Sequence, residues 1–164
     1  MSDFNLTTDI EKYRDTLEKI CKETVDHFME VEGRPPLSAF ADVYEEVPEI
    51  PKQFPIKCFA FIYKGEAVGY TWILDDTESE LYYILEFSVA ERFRRRKLGT
   101  EAIHALDEIY KNYNISELLV STKNFIGLNF WVNNGYSEIT LVLPPEAQGT
   151  VSTELNLRRH IKRQ

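Results

Sequence analysis

The chain has 164 residues, of which 43% are hydrophobic and 13% aromatic, and its net charge is −8. This length suits one domain spanning residues 1–164, and this composition excludes a disordered or low-complexity chain. The sequence contains no run of about 18 apolar residues, so no membrane-spanning helix is predicted. The first residues lack the basic and then apolar stretches of a secretory signal, so we expect a cytoplasmic protein.

The charge is distributed unevenly along the chain. Residues 1–50 carry 13 acidic and 5 basic side chains, whereas residues 91–164 carry 8 and 11. The overall acidity argues against nucleic-acid binding, and we expect neither a nucleic-acid nor a membrane partner. Cys21 and Cys58 lack the spacing of a zinc site, so we interpret both as reduced core residues and predict no metal.

Two helices are predicted in the first third of the chain. Thr8 to Glu11 matches a capping box, and apolar residues then recur with helical spacing until Val31, before Gly33 and two prolines. A second, short helix is predicted for residues 38–45. Three prolines then mark an irregular acidic loop.

The rest of the chain alternates strands and helices. The predicted elements are strands at 57–63, 67–74 and 81–89, a helix at 98–113, a strand at 117–122, a helix at 125–133 and strands at 136–143 and 150–157. One further strand, without an assigned range, precedes the first helix. This order predicts an α/β (α+β) fold, with a single mixed, mostly antiparallel sheet of about seven strands and helices on both faces.

A basic turn joins the strand ending at Val89 to the helix beginning at Leu98. A helix N-terminus offers unpaired N–H groups and a positive dipole end, and it binds phosphate readily. Five basic side chains lie between Arg92 and Lys97, and Gly99 permits close approach of the backbone. The turn therefore predicts a pyrophosphate site. A solvated basic loop, a localisation tag and an RNA-binding patch are the alternatives.

Two motifs resemble those of the GNAT superfamily of N-acetyltransferases. Phe93-Arg-Arg-Arg-Lys-Leu-Gly-Thr100 is similar to the family's phosphate loop, Arg/Gln-x-x-Gly-x-Gly/Ala, with Arg94 in the first position and Gly99 in the last. Residues 124–136 resemble the second signature, Asn-x-x-Ala-x-x-aromatic-Tyr-x-x-x-Gly-Phe. The residues that take its positions are Asn124, Gly127, Trp131, Gly135 and Tyr136. The order of elements agrees with the family over nearly the whole chain.

This resemblance implies an N-acetyltransferase that uses acetyl-CoA, releases CoA and acetylates a primary amine directly in a ternary complex. It also implies that two central strands splay apart to admit the pantetheine arm. The implied cofactor-binding residues are Phe87, Ser88 and Val89 on the strand, Arg94, Arg95, Arg96, Lys97, Leu98, Gly99 and Thr100 in the loop, and Asn124 and Trp131.

Glu86 is the expected catalytic base. It interrupts an otherwise apolar strand three residues before Val89, and burial raises the pKa of a carboxyl towards the useful range. Members of the family often carry a glutamate here. The alternative is a glutamate that is paired at a strand bulge and has no catalytic role.

Two residues depart from the family pattern. Lys97 replaces the first loop glycine and would cost about 1 kcal/mol if the backbone there has a positive φ. Trp131 stands where the family often has a tyrosine that protonates the leaving thiolate, and an indole N–H is no acid near pH 7. Tyr136, Tyr82 or a water are weaker substitutes. A CoA-binding sensor or regulatory module is therefore the alternative function, and a nucleic-acid binder using the basic turn is a third.

The acceptor is not identified by any motif. An acidic run from Asp42 to Glu49 lies where the family's acceptor-binding loop usually falls, although a solvated acidic loop has the same pattern. The acidic N-terminal half favours a cationic small-molecule or peptide amine. A homodimer is common in the family.

Overall fold

The computed structural model describes residues 3–148 and 152–161 and contains one seven-stranded sheet in the order β1-β2-β3-β4-β5-β7-β6. The strands are β1 (Phe4–Thr7), β2 (Ile56–Tyr63), β3 (Glu66–Asp76), β4 (Leu81–Val89), β5 (Ile115–Ser121), β6 (Glu138–Leu143) and β7 (Glu154–His160). Only β4 and β5 pair in parallel, so the sheet is mixed and mostly antiparallel, as predicted.

Helices pack on both faces of this sheet, which confirms the predicted fold class. They are α1 (Arg14–Glu23), α2 (Val25–Val31), α3 (Val43–Glu46), α4 (Leu98–Ile109), α5 (Phe125–Asn133) and α6 (Pro145–Gln148), with 3₁₀ turns at Glu11–Tyr13 and Glu91–Phe93. On one face, Leu17 and Ile20 of α1 pack in a cluster with Tyr70 of β3. In a separate cluster, Ile103 and Leu106 of α4 pack against strand residues that include Ile84 and Leu118. None of the described helices combines the length and apolarity needed to cross a bilayer.

The first helix differs from its prediction at its start and in the middle, whereas α2 ends at Val31 as predicted. The expected capping box is wrong: the first helical turn is a 3₁₀ turn whose N-cap is Ile10, without a side-chain cap. The helix also breaks at Thr24, whose N–H and hydroxyl both donate to the carbonyl of Cys21, so that α2 starts as a separate helix. Such a side-chain bond to the preceding turn competes with regular helix hydrogen bonding.

Several other predicted boundaries differ from the structure, and three of them differ most. The helix expected at 38–45 is the single turn α3, capped by the side chain of Asp42. The helix expected to reach Tyr113 ends at Ile109, which is 49% exposed, and Tyr113 donates from a turn to Asp75. The last strand runs to His160, and residues 150 and 151 of its predicted range lie outside the described residues.

The sheet opens between its two parallel strands. β4 and β5 pair only from Leu81 with Ile115 to Ile84 with Leu118. The register of β4 against β3 shifts at the next residue, Leu85, so that a bulge lies where the two parallel strands separate. A bulge re-aims the side chains that follow it. The predicted splaying of the central strands is therefore present, and Glu86 directly follows the bulge.

Candidate active site

A cavity of about 60 Å³ occupies the opening between β4 and β5. Its walls are the separating strands, the end of α2 and the beginning of α5. The lining residues are Phe28, Glu32, Arg34, Ile84, Leu85, Glu86, Phe87, Leu118, Leu119, Val120, Asn124 and Trp131. Four of them, Glu86, Phe87, Asn124 and Trp131, are predicted site residues that the fold brings together from two elements, β4 and α5 with its N-cap.

Glu86 is buried in the wall of this cavity, with a relative exposure of 3%. Its Oε2 accepts a hydrogen bond from the backbone N–H of Leu37 at 2.5 Å and pairs with Arg34 Nη1 at 3.3 Å. Burial raises the pKa of Glu86, and the charge of Arg34 and the bond from Leu37 oppose that rise without cancelling it. Among the described residues no donor reaches Oε1, which leaves this oxygen as the one suited to accept a proton.

The segment after α2 is fixed to the sheet by three buried polar groups, of which Glu86 is one. The hydroxyl of Tyr70 donates to the carbonyl of Leu37 at 2.5 Å, and Trp72 Nε1 donates to the carbonyl of Ser38 at 2.8 Å. Trp72 therefore holds this segment against β3. The sequence did not predict this segment, because its partners lie far away along the chain.

The basic turn begins where β4 ends. Arg94 Nε donates to the carbonyl of Val89 at 3.1 Å. Arg95 and Lys97 have φ angles of 66° and 62°, and both side chains are exposed together with that of Arg96. The positive φ at Lys97 confirms that the loop needs a left-handed residue where the family pattern has glycine. Lys97 is also the N-cap of α4 and makes no side-chain cap, which leaves the helix N-terminus open to an anion.

Gly99 also has a packing role that the sequence did not predict. A Cβ atom there would lie 2.8 Å from Cε1 of Phe130 and 2.9 Å from its Cζ. The space left by the missing side chain is thus filled by the Phe130 ring, which packs α5 against the start of α4. Leu98 is buried in the same region, whereas Thr100 is half-buried.

Asn124 joins α5 to α2. Its Oδ1 accepts the N–H of Gly127 at 3.0 Å and caps α5, as the capping position suggests. Its Nδ2 donates to Glu32 Oε1 at 2.9 Å, and the N–H of Ser121 donates to Glu32 Oε2 at 3.2 Å. The sequence did not predict Glu32 as a site residue, because it continues the polar surface of an ordinary amphipathic helix.

Trp131 lies in an aromatic cluster and is 7% exposed. Its ring meets those of Phe87, Phe130 and Tyr136 edge to face, at centroid distances of 4.9–5.2 Å. On β4, Ser88 is buried with a hydroxyl that has no partner among the described residues, whereas Val89 is half-buried.

The two tyrosines named as substitute acids do not line the cavity. The hydroxyl of Tyr82 donates to Asp107 at 2.9 Å, and that of Tyr136 bonds Ser116 at 2.7 Å, in a buried polar network next to α4. Burial raises the pKa of Tyr82 well above its ordinary value. Both residues are therefore structural.

Neither cysteine is an activated nucleophile. Both are free, and burial raises the pKa of the Cys58 thiol to about 12 and also raises that of Cys21. No set of three His, Cys, Asp or Glu side chains within residues 3–148 and 152–161 is arranged to hold a metal ion.

Comparison with known proteins gives a consistent family match. The chain matches the Acetyltransferase (GNAT) family over residues 17–136. No curated protein matches its sequence.

Solved structures resemble this chain over nearly its whole length. One is an acetyltransferase from Salmonella typhimurium that modifies the N-terminal serine of the 50S ribosomal subunit protein L7/L12 (TM-score 0.73, 11% identity, 97% of this chain and 95% of that one). Another is the microcin C7 self-immunity acetyltransferase MccE with acetyl-CoA and AMP (0.72, 17%, 96% and 92%). A third is the PaiA N-acetyltransferase of Thermoplasma acidophilum with coenzyme A (0.66, 14%, 98% and 99%). At these identities the likeness shows a shared fold.

Proposed function

Because the chain belongs to the acetyltransferase (GNAT) family, we propose that it transfers an acetyl group from acetyl-CoA to a primary amine, by direct attack in a ternary complex. The observation that carries this proposal is the position of Glu86. It is a buried carboxylate beside the opening between β4 and β5, on the strand whose end leads into the basic turn.

The residues present suit acetyl-CoA in three respects. The exposed Arg95, Arg96 and Lys97 and the uncapped start of α4 would hold the phosphates. The edge of β4 from Phe87 to Val89, which has no strand partner on the β5 side, would bind the pantetheine amides. Bound there, the cofactor supplies an activated acetyl thioester next to Glu86.

The role of Glu86 follows from the protonation of the acceptor. An alkylammonium of pKa about 10.4 must lose a proton before it attacks, which costs about 4.6 kcal/mol at pH 7. The amine nitrogen forms the new bond to the acetyl carbon, the carbon–sulfur bond breaks, and the amine proton passes to Glu86 Oε1 directly or through water. Burial favours this acceptor role because it raises the carboxyl pKa.

The leaving thiolate does not depend on Trp131. A thiol has a pKa of about 8.5, so a thiolate leaves without obligatory protonation. Trp131 instead fills the floor of the cavity and packs on Phe87. We therefore propose a site with a base and no side-chain acid.

A second candidate function is a CoA-binding module without transfer. The observation that favours it is the engagement of Glu86 with Arg34 and Leu37, which is also what a purely structural glutamate would show. The two candidates differ in turnover and agree in cofactor binding.

One experiment separates these candidates. Thermal unfolding is measured with CoA, acetyl-CoA and longer acyl-CoAs, and thiol release is then followed with a panel of amines that includes diamines and peptides. The proposal expects a higher Tm with acetyl-CoA and thiol release that requires an amine. A raised Tm without release across the panel would favour the binding module, and no shift with any CoA compound would refute both.

A further inference from the structure

Glu32 links the end of α2 to β5 and to the N-cap of α5. This residue follows α2, and its carboxylate accepts the N–H of Ser121 at 3.2 Å and Nδ2 of Asn124 at 2.9 Å. Ser121 ends β5 and Asn124 caps α5, so two donors from the β5 side of the opening converge on one side chain. Glu32 and Asn124 both line the cavity.

The converging donors would suit a ligand oxygen. A backbone N–H and a side-chain amide N–H pointing to one place bind carbonyl or carboxylate oxygens. In this structure the two oxygens of Glu32 take the positions that such ligand oxygens would occupy. The pantetheine arm contains two amide groups, and the proposed function places that arm in this opening.

We propose that Glu32 is an internal competitor of the cofactor, occupying donors on the β5 side that the pantetheine arm takes over when it binds. This inference rests on the proposed function. The carboxylate must leave Ser121 and Asn124 before the arm can use them. Gly33, with a φ of 73°, follows directly and lets the end of α2 turn away.

Competition of this kind lowers the apparent affinity for the cofactor. When only a fraction of molecules has the donors free, the apparent Kd rises by the inverse of that fraction. Hydrogen bonds to a charged group are the stronger kind, so the closed arrangement holds most of the population. Removal of the carboxylate should therefore tighten cofactor binding, although a contact is lost from the folded protein.

The test compares Glu32→Ala and Glu32→Gln with Glu30→Ala. Glu30 is an exposed carboxylate near the end of α2, two residues before Glu32, and serves as a charge-matched control. The Kd of CoA is measured by calorimetry for each full-length protein, together with that of adenosine 3′,5′-bisphosphate, which lacks the pantetheine arm. Thermal unfolding confirms that each variant is folded, and Glu32→Gln provides a milder change.

The expected result is specific to the arm. Glu32→Ala should bind CoA about tenfold more tightly than the wild type, Glu32→Gln should lie between them, and Glu30→Ala should match the wild type. Binding of adenosine 3′,5′-bisphosphate should be the same in all four proteins. The NMR signal of the Ser121 amide should shift both on Glu32→Gln and on addition of CoA to the wild type.

Equal CoA affinity in all four proteins, or weaker binding by Glu32→Ala, would overturn the inference and leave the proposed function standing. A gain seen equally with the bisphosphate would also overturn it, because simple removal of negative charge would explain that gain. If none of the proteins, Glu32→Ala included, binds CoA, the proposed function fails as well.

Discussion

Replacing Arg34 tests whether Glu86 works as a base. Arg34 Nη1 lies 3.3 Å from Glu86 Oε2, and its charge is the largest influence that opposes the pKa rise caused by burial. In Arg34→Ala the pKa of Glu86 should therefore rise further. An opposite charge at such a distance typically stabilises the carboxylate by about 1.4–4 kcal/mol. The low end of the range applies because the Arg34 side chain is 45% exposed and solvent screens it.

The assay is the pH profile of kcat/KM with acetyl-CoA and a reactive amine. The carboxylate is the active form, so kcat/KM falls as pH drops through the pKa of Glu86. In Arg34→Ala that acidic limb should move to higher pH, and kcat/KM on the limb should fall about tenfold while the high-pH plateau is retained. Arg14→Ala removes an equal charge from an exposed pair with Glu11 and should leave the profile unchanged. A loss in Arg34→Ala that is equal at every pH would refute the reasoning.

Substitutions at three other positions test the elements around the site. Gly99→Ala should destabilise the protein by about 1–3 kcal/mol in urea unfolding, because the new Cβ meets the Phe130 ring; an unchanged midpoint would contradict this packing. Lys97→Gly should be about 1 kcal/mol more stable than Lys97→Ala, because only glycine avoids the cost of the positive φ, and both should bind CoA more weakly through loss of a cation. Asn124→Ala should lower the free energy of unfolding by about 1 kcal/mol because the α5 cap is lost, whereas Asn124→Ser should retain most of that stability. Equal unfolding midpoints for these two variants would rule out the cap.

The elements predicted best were those whose ends are determined by neighbouring residues in the sequence. The range of β4, Leu81–Val89, was predicted without error, and so was that of α5, which Asn124 caps and Gly135 ends with a φ of 93°. The capping box at Thr8 failed although its residue pattern was correct. There β1 keeps the chain extended as far as Thr7 in its pairing with β2, and the helix therefore starts later. A tertiary contact overrode a local preference.

Site residues were predicted where a motif marked them or, for Glu86, where a charged residue interrupts an apolar strand. The basic turn and Asn124 were found because their spacing is a pattern, whereas Glu32, Arg34 and Leu37 were not. These three residues reach β4, β5 and α5 across 49–92 positions of sequence. The bulge at Leu85 was anticipated only in the alternative interpretation of Glu86, because Ile84 and Leu85 are themselves compatible with a regular buried strand. Contacts of this range depend on how the chain packs and leave no periodic signal.

The two interpretations of Glu86, a catalytic base and a structural anchor, are compatible because they use different oxygens. Oε2 holds Leu37 and Arg34, while Oε1 is available in the cavity. Glu86→Gln keeps a carbonyl oxygen for the Leu37 N–H and loses the base, so it should unfold near the wild-type midpoint and lose about 10²–10⁴-fold in kcat. Glu86→Ala loses both and should also be destabilised by about 1–3 kcal/mol, because the Leu37 N–H is left unpaired.

The stability of the wild type should also respond to pH through this group. Burial raises the pKa of folded Glu86, so its contribution to stability is complete below the ordinary carboxyl pKa and is lost as pH rises through the folded value. Glu86→Gln cannot titrate, so its stability relative to the wild type should increase over that interval. If the stability of Glu86→Gln instead follows that of the wild type at every pH and the variant keeps full activity, then the pKa of Glu86 is not raised by folding and Glu86 serves only to anchor Leu37 and Arg34.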